Sequence, residues 1–264
     1  MKSLCRTILK EKIRGNVSIK RDRMRGTMLR LIYVSFVSMP FIIYYLWKAA
    51  YIERHDGSYN EARRYKIARR MVSIMKRNGL IRTKVYGVEN LPEEGGYVMY
   101  PNHQGKYDSL GIVWAHKKPC TIVIDEKRSH LFLTDQFITL LKGARLDKTD
   151  MKSQMKTILD IIEQVKAGRR YILFPEGGYY HNRNDVQEFL PGAFKCAMKA
   201  KSPIVPVALI DSYKPFELNT IRPVTTQVHF LKPLYYEDYK DMNSIQIAEL
   251  VRNQIMDVIK EVCG

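Results

Sequence analysis

Hydrophobic and polar positions along this chain fall into three successive patterns. From residue 31 to residue 47 it reads LIYVSFVSMPFIIYYLW, seventeen residues without a charge. From 58 to 78, Tyr59, Ala62, Tyr65, Ile67, Ala68, Met71, Val72 and Met75 recur at roughly helical spacing. They oppose a basic face of Arg63, Arg64, Lys66, Arg69, Arg70, Lys76 and Arg77, and Asn78-Gly79 supplies a helix stop. Beyond Gly79, short β-prone runs alternate with helical patterns. Strands are expected at 84–88, 97–100, 121–124, 171–174, 204–209 and 226–231, and helices at 109–116, 128–141, 151–167, 192–200 and 244–262. This alternation predicts an α/β domain over 80–264, a sheet with helices on both faces and ligands beyond the strand ends. Pro206 cannot donate a ladder hydrogen bond, so its strand is expected to carry an edge or a bulge there.

The first 79 residues form a different region. As a helix, the uncharged segment would be roughly 25 Å long, short of a hydrocarbon core of about 30 Å. Pro40 interrupts it, and Tyr44, Tyr45, Trp47 and Tyr51 cluster at its end as aromatics do at a membrane interface. Lys10, Lys12, Arg14, Lys20, Arg21, Arg23, Arg25 and Arg30 precede it, and Lys48, Arg54, Arg63 and Arg64 follow. Basic residues on both flanks place both ends on the cytoplasmic face, which a monotopic or re-entrant segment satisfies. A buried core helix is the competing reading. The helix predicted at 58–78 would lie beside it on the surface.

Charge and cysteine content narrow the partners. The formal charge of +17 favours an anionic one, such as a phospholipid surface or a nucleotide-bearing substrate. Nucleic acid is disfavoured, because the chain carries no zinc-finger spacing, RNA-binding aromatic strand or helix-turn-helix signature. Cys5, Cys120, Cys196 and Cys263 are scattered without metal or redox spacing, so reduced thiols and no metal are expected.

Candidate chemistry sits at the ends of two predicted strands. After Tyr97-Val98-Met99-Tyr100-Pro101-Asn102 comes His103, with Asp108 five residues on. If His103 lies in the strand-to-helix turn and Asp108 joins the helix, the carboxylate can accept the Nδ1 proton and leave Nε2 as a general base. His130 and Asp135 share the spacing but fall inside the helix expected at 128–141, where about 500° of rotation should turn them apart. After residues 171–174, Pro175-Glu176-Gly177-Gly178 places a carboxylate beside two glycines, where a substrate can approach closely. Arg183, and Arg145 with Lys148 in the charged turn between, are candidate phosphate contacts.

In order and approximate spacing, His103-(four residues)-Asp108, the turn at 143–148, Phe174-Pro175-Glu176-Gly177 and Ile204-Val205-Pro206-Val207 resemble the four blocks of the glycerolipid acyltransferase family. Its best-known members are 1-acylglycerol-3-phosphate acyltransferases. The resemblance covers roughly 84–231 and implies a mixed sheet, a catalytic His103–Asp108 dyad, and an acceptor-binding block containing Glu176 and Gly177. It further implies acyl transfer from acyl-CoA or acyl carrier protein to a lysophospholipid hydroxyl at a membrane, with no cofactor. Phosphatidate from 1-acylglycerol-3-phosphate is the first expectation; another alcohol or amine acceptor, or a silent membrane-binding protein of the same fold, are the alternatives. Two departures stand out. The family's third block continues with Thr-Arg where this chain has Gly178-Tyr179, and its second block usually ends in arginine, for which Lys148 is the nearest match and Arg145 lies nearby. Oxyanion donors are expected among the backbone amides near Gly105.

Overall fold

The computed structural model describes residues 32–131, 133–218 and 220–264. The basic residues that precede the apolar segment, and Cys5, lie outside them. Among the described residues, seven strands form one mixed sheet in the order β1-β7-β6-β2-β5-β3-β4. They are β1 (Ile81–Tyr86), β2 (Val98–Pro101), β3 (Thr121–Asp125), β4 (Ala144–Leu146), β5 (Tyr171–Ile172), β6 (Ile204–Ile210) and β7 (Val224–Phe230). Every neighbouring pair is parallel except β6 with β7, so β1 and β7 run opposite to the rest.

All four residues of β2 are buried, and its period-two alternation feeds both faces of the sheet. On one face, Tyr97 and Met99 join Val205, Val207 and Leu209 under α2 (Glu61–Asn78), α3 (Asp108–Ala115) and a later helix, α5 (Thr134–Leu141). On the other, Val98 and Tyr100 join Ile204, Ala208 and Ile210 under α6 (Met151–Lys166), α7 (Lys195–Ala200) and α10 (Ser244–Cys263). Burial of each such Val, Ile or Leu is worth about 1.5–3 kcal/mol, so the double cover explains why the central strands are continuously apolar. Pro206 lies within β6 at a bulge. Val207 pairs with Phe230 while Ile204 bridges to Leu234, so three steps along β6 match four on its partner.

Three local expectations change. The helix expected at 128–141 is two helices, α4 (Glu126–Ser129) and α5, separated by a turn in which Leu133 is left-handed at φ 67°. The charged turn at 144–146 is an edge strand, β4, paired with β3. The apolar segment is a continuous helix, α1 (Ile32–Arg54), that runs through Pro40.

α1 and α2 form an antiparallel pair. Ser38 accepts a hydrogen bond from Asn78 at 2.8 Å, Val34 abuts Gly79, and Ala49 and Ile52 pack with Leu140, Ile67 and Met71. Expected as a second surface-lying helix, α2 instead sends Tyr65, Ala68 and Val72 into the core of the sheet. Its basic side faces outward in part, while Arg64 is buried and donates to the Thr139 carbonyl. α1 carries much exposed apolar surface: Phe36, Trp47, Ile43 and Ile32 are all more than half exposed. The remaining short helices are α8 (Lys214–Glu217) and α9 (Tyr236–Tyr239).

Candidate active site

Three parallel strands, β6, β2 and β5, end side by side, and the turns leaving them meet at His103. Asn102 fixes the first turn. Its side chain donates to the Leu209 carbonyl and accepts from the Leu209 amide, at 3.1 and 2.7 Å, extending the β2–β6 pairing past Pro101. Gln104 makes a second tie, donating to the same carbonyl and accepting from the Ser212 amide. Both side chains are buried, and their partners more than a hundred residues away hold the turn in one conformation.

Within that turn, Nδ1 of His103 donates to Oδ2 of Asp108 at 2.6 Å. The same oxygen accepts from the Gln104 and Gly105 amides at 2.6 and 2.8 Å. Asp108 is the first residue of α3 and wholly buried. The imidazole is therefore held as the tautomer whose Nε2 has a free lone pair. Phe174, the last residue before the Pro175 turn, packs tilted against the ring at 4.4 Å, and Tyr179 lies 5.5 Å away between ring centres.

Glu176 also reaches this turn, with Oε1 accepting from the His103 amide at 2.9 Å. Its other oxygen is buried and has no hydrogen-bond partner among the described residues. Desolvation lifts this carboxyl to about 7, opposed by the hydrogen bond from the His103 amide and by the imidazole's charge. Gly177 makes the bend after it. The residue is left-handed at φ 70°, and a Cβ there would meet the Leu190 side chain at 2.7 Å.

The expected cations divide. Lys148 donates to the Gly177 carbonyl at 2.8 Å and lies 3.8 Å from Asp125, so it stands beside the Glu176 turn. Arg145 is held by Asp135 at 2.6 Å and by Thr139, and it lines a cavity with Glu53, Asp56, Arg64 and Lys142. That cavity is not the His103 turn. Arg183 is exposed, left-handed at φ 53°, and stacked over the Tyr213 ring at 5.5 Å. Among the described residues, no group of three or more His, Cys, Asp or Glu is placed to hold a metal ion.

Sequence reasoning missed Asn102, Gln104 and Tyr179. A polar pair directly after the strand-ending proline is the signal for the first two. Tyr179 stands in the chain where the family's arginine is expected, which marked the departure without giving it a role.

A family model described as Acyltransferase matches residues 82–210, a span holding every residue of this turn and the Glu176 turn. The 1-acyl-sn-glycerol-3-phosphate acyltransferase of Saccharomyces cerevisiae is 28% identical over 204 residues, covering 74% of this chain and 65% of the yeast protein. The alpha form of Homo sapiens is 28% identical over 203 residues, covering 75% of this chain and 70% of that one. Over residues 82–210, which carry the His103 and Glu176 turns, this chain is similar to acyltransferases. It spans about two thirds of the length of those two relatives. The acyltransferase fold extends further. The crystal structure of the 1-acyl-sn-glycerophosphate acyltransferase PlsC of Thermotoga maritima superposes with a TM-score of 0.73 over 92% of this chain and 98% of that one, at 19% identity.

Proposed function

We propose that this acyltransferase moves a fatty acyl group from a thioester, acyl-CoA or acyl carrier protein, to the hydroxyl of a membrane lysophospholipid, with 1-acylglycerol-3-phosphate as acceptor and phosphatidate as product. The observation that carries the reading is the 2.6 Å bond from His103 Nδ1 to a carboxylate with no solvent access, at the meeting of three parallel strand ends. In this mechanism Nε2 of His103 removes the proton from the acceptor hydroxyl as its oxygen attacks the thioester carbonyl. Asp108 keeps Nδ1 protonated and stabilises the imidazolium that forms. Collapse of the tetrahedral intermediate expels the thiolate, which takes the proton from the imidazolium and leaves as a thiol. General-base assistance of this kind is worth roughly 10²- to 10⁴-fold. A thiolate is a good leaving group, so no covalent enzyme intermediate is required.

Names of relatives support 1-acylglycerol-3-phosphate as acceptor. Lys148, beside the Glu176 turn, is the cation best placed for its phosphate, and Arg183 is the alternative. α1 supports a membrane location, since its exposed Phe36, Ile43 and Trp47 suit an acyl-chain environment. We place the catalytic face on the cytoplasmic side, with the basic flanks of α1 at the headgroups.

Purified protein in detergent, given labelled acyl-CoA or acyl-acyl carrier protein and a panel of lysolipids, should form phosphatidate fastest. Preference for an acceptor without phosphate would replace this substrate assignment. No transfer to any acceptor would overturn the activity. Protease access to both flanks of α1 from one side of sealed vesicles is expected; access from opposite sides would refute the monotopic placement.

A further inference from the structure

Acyl transfer through a tetrahedral intermediate requires hydrogen-bond donors for the oxygen that becomes negative. The amides near Gly105 were the expected source, yet three consecutive ones are committed. The His103 amide binds Glu176, and those of Gln104 and Gly105 bind Asp108. Another donor faces the same space. Among the described residues the buried Tyr179 hydroxyl has no hydrogen-bond partner, its ring centre is 5.5 Å from that of His103, and its oxygen is 4.0 Å from where a Cβ on Gly105 would lie. A buried hydroxyl left without a partner costs about 1–3 kcal/mol, so one retained beside the imidazole points to a ligand atom that completes it.

The ring is held from behind. His181 packs on it at 4.6 Å and is itself tied to Glu217 at 2.8 Å. Gly105 lies against the hydroxyl and places no side chain beside it. Tyrosine stands here where the family resemblance expects arginine, so a neutral donor replaces a cation at a position adjoining the imidazole.

We infer that Tyr179 is a catalytic residue of this chain, its hydroxyl donating a hydrogen bond to the thioester carbonyl oxygen as that oxygen becomes the oxyanion of the tetrahedral intermediate. The inference rests on the acyl-transfer reading above. As the acceptor oxygen bonds to the carbonyl carbon and its proton passes to His103, the C=O π pair moves to the carbonyl oxygen; the phenol proton stays on Tyr179 throughout, and the pair re-forms C=O when the C–S bond breaks and its electrons leave with the sulfur. Because the contact strengthens only as charge develops, its removal lowers kcat more than it raises KM.

The test compares wild type, Tyr179→Phe and His103→Ala as full-length proteins with a labelled acyl-CoA donor and 1-acylglycerol-3-phosphate. Tyr179→Phe is expected to lower kcat about 10²- to 10³-fold with KM for both substrates changed less than about threefold. Incorporating fluorotyrosines of increasing acidity at 179 preserves the ring, so it decides the matter even where the Phe variant folds poorly. The alkaline fall of kcat should then move to lower pH with each added fluorine, which a merely structural ring would not produce. Tyr179→Phe with kcat within threefold of wild type, a loss confined to KM, or a fluorotyrosine series with one unchanged pH profile would each overturn the inference. An inactive wild type would instead overturn the acyl-transfer reading beneath it.

Discussion

Two histidine–aspartate pairs in this protein have identical sequence spacing and different surroundings. His103 and Asp108 meet at 2.6 Å with the carboxylate fully buried, while His130 and Asp135 approach to 3.8 Å with their side chains 54% and 38% exposed. Asp135 spends its Oδ1 on Arg145 at 2.6 Å, and His130 has Glu126 at 2.8 Å as its nearer partner. In one continuous helix the second pair would face apart. Instead, the helix breaks at Leu133 and lets them approach. What separates the pairs is therefore not proximity alone but a carboxylate that serves one imidazole and two amides in a buried turn, against one that pairs with Arg145 and lies beside an exposed imidazole.

Removing each carboxylate sharpens that contrast most. Asp108→Ala should lower kcat about 10²- to 10⁴-fold. It should also destabilise the fold by about 1–3 kcal/mol for each of the Gln104 and Gly105 amides left without an acceptor. Urea unfolding beside steady-state rates checks both, and a stable, active Asp108→Ala protein would erase the distinction.

A smaller effect comes from the dry environment around His103. Burial raises the Glu176 carboxyl to about 7, well above its usual value. A carboxyl raised on folding contributes stability fully at acidic pH, and this is lost as pH rises through about 7. Glu176→Gln keeps an oxygen for the His103 amide and removes the titration, so above neutral pH the variant should be more stable than wild type, by at most about 3 kcal/mol. Thermal melting from pH 4 to 9 measures this; parallel curves for the two proteins would contradict it.

Gly177→Ala should cost about 1–2 kcal/mol, because φ is 70° and the new methyl overlaps Leu190. Pairing it with Leu190→Ala should leave the backbone part of that cost, read from the same melts. At the other extreme, Asp135→Ala should change stability by less than about 1 kcal/mol and leave kcat unaltered, as expected of exposed ion pairs.

Much of this architecture was legible because β2, β3 and β6 are short apolar runs with turn residues at their ends, and burial on both faces demands that pattern. β4 was not legible. Its three residues, Ala144-Arg145-Leu146, have a charged centre that an edge strand tolerates and a periodicity argument discards. The break before α5 rests on a left-handed leucine, for which the sequence offers no glycine or proline signal. At the site, local order foretold the meeting of His103 and Asp108, whereas Glu176 reaches the His103 amide across 73 residues, a pairing only the β2–β5 register creates. The commitment of the turn's own amides was equally hidden, since each depends on how the carboxylates rotate into it.

The direct test of the account is acyl transfer to 1-acylglycerol-3-phosphate by wild type, His103→Ala and His130→Ala, purified and assayed together. The account predicts product from wild type and His130→Ala at equal rates and a loss of at least about 10²-fold in His103→Ala. Undiminished transfer by His103→Ala, or an equal loss in both variants, would contradict it.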